Sequence, residues 1–557
     1  MHKGYMLTAV FLSACVLFVL AYIKYGKFLT KHFELNNKNH PPSHHMYDGV
    51  DYVPAPMPVL FGHHFSSISG AGPVLGPIIA GIAFGWGPVW LWVVIGSIFI
   101  GGVHDFASLV ISVRSRGRSI AEIARTYMSK RAYHLMLAFI WLALVYVLTV
   151  FTDLTANTFK LDGGVATSSM LFILLAVGFG FCLYRLKFPL KWASLVFVSL
   201  LFFFIWLGQK IPLNNIPVIL GDEAKSWDII LLIYCFIASV TPVWILLQPR
   251  DYLSSFMLYG SVAAGFFGIL LGGLPLNYPA FVSLDAPDIG PMFPLLFVTV
   301  ACGAISGFHA IVASGTSSKQ LKKESDALPI GYGAMLVEGL VAVIALCTVM
   351  IVGRNDPLAA KAPLAIYGAG IAKFLSVFGI PERFGSSFGL LALSTFILTT
   401  LDTATRLARY IFQEFFNIEG KRTRYLATLV TLLLPTVFVL INIRDAGGNI
   451  IPAWKSIWPV FGATNQLLAG LVLMVVAVWL KKKGKHIWFV VIPMIFMLVM
   501  TLWALLLVII QYKLSLVGFI GGVLLFLALL LILEAIEIFE IQHHAKRILK
   551  RKKKEIA

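Results

Sequence analysis

Histidine and aspartate recur inside stretches of this chain that are otherwise apolar enough to cross a membrane: His63 and His64, His104 and Asp105, His309, and Asp402. Ionisable groups at that depth are costly and mark ion or substrate pathways. Imidazole changes charge near neutral pH, so imidazole–carboxylate sets suit the movement of protons. His63 and His64 belong to residues 61–77, FGHHFSSISGAGPVLGP, where Gly70, Gly72, Pro73, Gly76 and Pro77 interrupt the helical run. Lipid cannot satisfy the amides and carbonyls that such a break releases, so the break must be buried in protein or line a wet cavity. Transporters hold substrates and ions at broken helices of this kind. The amides around Ser69, Gly70, Ala71 and Gly72 suit a carboxylate, as a helix N-terminus does. The released carbonyls suit a cation or an ammonium group. A glycine face for close helix packing explains the small residues, but neither the prolines nor the histidine pair.

The other polar positions have two readings each. Asp105, beside His104 in GGVHDFASL, is either a structural partner of a neighbouring broken helix or a proton or cation site. In ASVTPVWILLQPRDYLS (238–254), Thr241 to Trp244 are expected to wall a pocket, and Arg250 and Asp251 to form an ion pair at a helix end. CGAISGFHAIVASGTSSKQ (302–320) reads as a further interrupted helix, with Ser306 and His309 mid-span as pocket residues. Hydroxyls at Ser314 to Ser318 either coordinate Na⁺ or bond their own backbone. Asp402 and Arg406 stand at i,i+4 and either pair with each other or give Asp402 to proton coupling. Glu338 reads as a similar ion pair, and Asn465 and Gln466 as packing or a scaffold contact. The substrate-binding candidates are therefore His63, His64, Ser69, Gly70, Ala71, Gly72, Thr241, Trp244, Ser306 and His309. The proton-coupling candidates are His64, Asp105 and Asp402.

Many elements are needed to hold these residues. The chain has 557 residues, 59% hydrophobic and 13% charged, with a mean hydropathy of +0.87, which makes it an all-α polytopic membrane protein. Hydropathy supports about 15 spans. The net charge of +18 collects at helix ends, as in KKKGK (481–485) and KRILKRKKK (546–554), which is an orientation signal and not a nucleic-acid footprint. With fifteen spans the basic segments share one side, placing the N terminus outside and the C terminus in the cytoplasm. Residues 361–383 then form an interfacial helix on the outer side. The five cysteines lie in apolar runs as packed thiols. His44, His45, His63 and His64 match no metal-site spacing, and no metal or cofactor is expected.

Spans two (58–84) and seven (227–248) both carry breaks, lie five apart and run in opposite directions. That pattern predicts a leucine-transporter-like core, a five-plus-five inverted repeat with broken helices. The expected division is 1–57 for an N-terminal helix and loop, 58–411 for a ten-helix transport core, and 412–557 for four further helices and a basic tail.

NHPPSHHMYDGVDYVPAPMPVLFGHHFSSISGAGPVLGP, GGVHDFASL, QPRDYL, ISGFHAIVASGTSSKQ, TTLDTATRLARY and WPVFGATNQLLAG together resemble the carbon starvation protein A family over roughly 40–470. PAPMP at 54–58 departs from the familiar pattern. The resemblance implies a multi-pass transporter of the bacterial or archaeal cytoplasmic (inner) membrane, made under nutrient stress. It further implies uptake of short peptides or, in some members, of pyruvate with protons. The expectation is secondary active import of a small nutrient, short peptides first, coupled to H⁺. The alternatives are Na⁺ coupling, a pyruvate-like carboxylate as substrate, or a passive channel. The chain has no G-x-x-x-x-G-K-[ST], G-x-S-x-G or H-E-x-x-H, so neither ATP hydrolysis nor enzymatic catalysis is expected.

Overall fold

The computed structural model describes residues 2–48, 52–214, 216–242, 245–287, 289–418, 420, 422–444, 450–513 and 515–556. Helices dominate, as they must where lipid offers the backbone no partners. In chain order they are α1 (Tyr5–Phe33), α2 (Met57–Ile68), α3 (Gly72–Phe84), α4 (Trp86–Arg114), α5 (Lys130–Leu161), α6 (Gly163–Tyr184), α7 (Leu190–Lys210), α8 (Glu223–Val240) and α9 (Leu247–Leu271). They continue with α10 (Met292–Thr299), α11 (Gly307–Val312, extended by further turns to Gln320), α12 (Glu324–Met350), α13 (Pro363–Ser376), α14 (Glu382–Phe416), α15 (Thr423–Leu440), α16 (Ala453–Lys482), α17 (Trp488–Tyr512) and α18 (Leu516–Ile556).

Among the described residues, 12 helices are long and apolar enough to cross a membrane, or 13 when the bent pair α2–α3 counts as one span. The expected fifteen is therefore not reached. Two segments account for the difference. Helix α8 has 18 residues and carries Glu223, Lys225 and Asp228. The segment 292–320 is broken at 300–306 into two pieces, each too short to span alone. Helix α13 has 14 residues, about 21 Å at 1.5 Å per residue, and packs along α14 instead of crossing.

The two halves of the core repeat each other's packing. Helix α5 lies on α16 as α14 lies on α9; α2 packs on α9 as α10 packs on α16; α5 and α14 pack together, as do α8 and α15. This is a leucine-transporter-like inverted repeat. The partner of the first broken helix is not the 227–248 segment, however. The chain does leave helical geometry at 241–242 and at 245–246, but Pro249 sits in the first turn of α9, where its missing N–H leaves no bond unmade. The helix that meets α2–α3 is 292–320. Helix α3 packs on α10 and α2 packs on α11, so the two broken helices run antiparallel and touch at their breaks. Helices α6 and α7 form a hairpin inserted within the first five.

Glycine makes this approach possible. A Cβ on Gly76 would stand 2.5 Å from the Thr299 carbonyl oxygen, and one on Gly72 would run into Cys302. Gly76→Ala is expected to cost about 1–3 kcal/mol as the broken helices are pushed apart. A thermal melt of the purified variant checks this, and an unchanged midpoint would show that the contact yields freely.

The basic segments gather at one end of the bundle. Arg114 Nε meets Glu324 Oε1 at 2.7 Å, Lys482 Nζ donates to the Tyr127 carbonyl at 2.7 Å, and Lys485 pairs with Glu34. Helix α1 ends and α18 leaves at this same end, since Arg131 reaches Glu534.

Candidate functional site

The first break spans 69–71, and its flanking helices meet at 45°. Ser69 N–H still reaches the Phe65 carbonyl, and Gly70 N–H turns back to Ile68. Helix α3 begins at Gly72 with Pro73 next, and its first internal donors are Val74 and Leu75, both to Ala71. Among the described hydrogen bonds the amides of Ala71 and Gly72 have no acceptor, and Ser69 Oγ is buried without a partner. Phe151 of α5 and Thr400 of α14 close over Gly70. The expected grouping of Ser69, Gly70, Ala71 and Gly72 is thus present as a buried turn with unused donors.

The second break is the better tied. The Val300 carbonyl accepts from Trp92 Nε1 and Gln466 Nε2, each at 3.2 Å, and the Gly303 carbonyl from Ser97 Oγ at 2.9 Å. Asn465 Oδ1 accepts the Phe308 N–H at 3.0 Å, and Asn465 Nδ2 donates to Ser306 Oγ at 3.0 Å. Ser306 is therefore fixed to the scaffold. Asn465 and Gln466 replace the helical partners that the break removes. Helix α16, which carries them, is among the most buried helices of the chain.

Beside both breaks lies a closed set of ionisable groups. Asp105 on α4 accepts from His104 Nδ1 and His309 Nδ1, each at 2.7 Å. The far side of the His309 ring brings Nε2 to 3.3 Å from Glu338 Oε2 on α12, close enough for attraction but without hydrogen-bond geometry. All four side chains are 0% exposed, which leaves water no part in screening them. Two carboxyl groups and two imidazoles share this dry site, and burial opposes a net charge on them, so the set has the chemistry to hold and release a proton. His64, also buried, bonds Ser317 Oγ of the segment after His309 at 2.8 Å. His64, Asp105 and His309 are therefore brought together from three helices, and Glu338, read from sequence as a lone ion-pair acid, joins them.

Asp402 belongs elsewhere. It pairs with Arg250 of α9 and accepts from the Tyr234 hydroxyl of α8 at 2.7 Å. The expected partner Arg406 instead donates to the carbonyls of Ala238 (3.0 Å) and Thr241 (2.7 Å), which the end of α8 leaves open. Proton coupling through Asp402 is disfavoured by this arrangement, because a guanidinium already neutralises the carboxylate. Thr241 bonds the Ile237 carbonyl, and no described contact joins it to either break. Trp244 lies outside the described residues. His63 faces away from His64. Its Nδ1 stands 3.0 Å from Asp251 Oδ2, at the edge of a cavity between α2 and α9.

Three of the hydroxyls considered for Na⁺ are turned onto their own backbone, while Ser317 meets His64. Ser314 bonds Ala310, Thr316 bonds Val312 and Ser318 bonds Ser314. Hydroxyls in membrane helices commonly do so.

Comparison with known proteins gives a family and its relatives. The family described as Carbon starvation protein CstA matches residues 6–368 and 350–504. A "Peptide transporter CstA" of Campylobacter jejuni is 31% identical over 90% of this chain and 80% of its own length. A "Pyruvate/proton symporter BtsT" of Escherichia coli is 30% identical over 88% of this chain and 80% of its own. A crystal structure of an Eremococcus coleocola manganese transporter mutant superposes at a TM-score of 0.46 with 14% identity, covering 88% of this chain and 98% of that one.

Proposed function

Because this chain belongs to the carbon starvation protein CstA family, we propose that it is a proton-coupled importer of short peptides. The observation that carries the coupling is the closed Asp105–His309–Glu338 set with His104, placed where the two broken helices cross. A proton taken up there changes the charge of the set. His64 and Ser317 lie across the same crossing, so the state of the set bears on how α2 and α11 pack. A substrate carboxylate would be held by the Ala71 and Gly72 amides and Ser69, at the positive end of α3. Such a device alternates access by rocking one set of helices against the other about the break.

Proton coupling is favoured over sodium because the buried set beside the breaks is built from imidazole and carboxyl groups, which take up and release protons. The basic end of the bundle is read as cytoplasmic by the positive-inside rule, with the C terminus there and the N terminus outside. The chain then sits in a bacterial or archaeal cytoplasmic membrane. The transport core is redrawn from 58–411 to 57–482 without the α6–α7 hairpin, because α16 holds the second break.

Uptake of labelled dialanine and labelled pyruvate into proteoliposomes, with an inward proton gradient and with it collapsed, tests the reading. Dialanine accumulation that disappears with the gradient is expected. Accumulation that follows a sodium gradient at constant pH would refute it, and equilibration without accumulation would make the chain a channel.

A further inference from the structure

A cavity of about 580 Å³ opens between α2, α9 and the α6–α7 hairpin, on the basic side of the first break. Its size suits a small organic ligand. One acidic side chain defines its chemistry. Asp251 is 1% exposed and lines the cavity; its Oδ2 meets His63, while Oδ1 is buried with no hydrogen-bond partner. The neighbouring Arg250 makes no hydrogen bond to it, since Nη1 of that guanidinium goes to Asp402, the Tyr234 hydroxyl and the Leu398 carbonyl, and His63 is the one described hydrogen-bond partner of the carboxyl group within the cavity. A buried carboxylate oxygen left bare is expensive, and a cation restores the balance.

The walls point to which cation. Phe179, Tyr252, Phe256 and Tyr259 line the same space, with Phe179 and Tyr252 stacked at 5.4 Å between centroids. Aromatic faces around a carboxylate recognise ammonium groups. The same carboxylate repels a keto acid, which brings only negative charge. We propose that this cavity binds the free α-amino end of a short peptide, with Asp251 as its counter-ion, and that the chain thereby favours peptides over keto acids. The inference rests on the transport reading above and names the substrate class it serves.

The test uses the full chain in proteoliposomes and in detergent. Unlabelled dialanine, its C-terminal amide, N-acetyl-dialanine and pyruvate compete against labelled dialanine under an inward proton gradient. The same four compounds are scored for protection against thermal unfolding in detergent. The free-amine compounds are expected to compete and protect at concentrations at least about tenfold below N-acetyl-dialanine. Asp251→Asn should erase that preference in both assays. N-acetyl-dialanine equal to dialanine, or pyruvate protecting better than either, would overturn the inference. Amine-selective protection without any accumulation would overturn the transport reading alone, because recognition would survive while coupling did not.

Discussion

Replacing Asp105 by asparagine is expected to abolish accumulation while leaving exchange intact. Asparagine keeps the size of the side chain and can still meet His104 and His309, but it removes the charge that stabilises a protonated His309. The network then keeps one acidic side chain, Glu338, beside the His104 and His309 rings, and the second acidic group that a transported proton could occupy is gone. For one proton per substrate, each pH unit of gradient is worth about 1.36 kcal/mol, or about tenfold accumulation. Wild-type vesicles under a one-unit gradient should therefore concentrate dialanine about tenfold, and Asp105→Asn vesicles about onefold. Counterflow of labelled against unlabelled dialanine should persist, because it needs binding and rocking but no net proton movement. Loss of counterflow together with accumulation would place Asp105 in folding or binding instead of coupling. Asp105→Ala is a harsher change. It strands two histidines and Glu338 in a dry interior and should cost about 3–5 kcal/mol of stability.

The largest stability effect is expected at Arg250. Its guanidinium is fully buried and joins α8, α9 and α14 through Tyr234 and Asp402. Truncation to alanine leaves Asp402 charged and alone, which costs about 3–5 kcal/mol and should sharply lower the melting midpoint. A well-packed apolar pair is often as stable as a buried ion pair, so Arg250→Met with Asp402→Leu should recover most of that loss. The double variant should keep its dependence on the proton gradient. A double variant that melts as low as the sum of the single ones would show that the two residues do not act as a pair. A folded double variant that has lost coupling would return Asp402 to the proton path.

The first break was legible because its cause is local. Gly70, Gly72 and Pro73 cannot continue a helix, whatever surrounds them. The same reasoning misjudged 241–249, where Pro249 starts a helix instead of breaking one. Proline marks a helix boundary without saying which side of it the helix lies on. The second break, at 300–306, contains one glycine and no proline, and the interruption was visible in sequence. Its pairing with α2–α3 was not, because contacts such as Gly76 against Thr299 join residues more than 200 positions apart. Charge partners failed for the same reason. Arg406 stands one turn from Asp402 but is drawn to carbonyls exposed by the end of α8, and Arg250 takes its place. Glu338 read as an intrahelical ion pair, because its partner His309 lies on another helix. Asn465 and Gln466 read as packing or a scaffold contact, but a sequence does not show that the carbonyl of Val300 and the amide of Phe308 are what they hold.

The central claim is that substrate entry carries a proton through the Asp105–His309–Glu338 set. The most direct measurement loads proteoliposomes with a pH-sensitive dye and adds dialanine outside with no gradient imposed. The account predicts that the lumen acidifies as the dipeptide enters, and that Asp105→Asn removes the acidification. Dipeptide entry at constant luminal pH, in the wild-type chain, would contradict it.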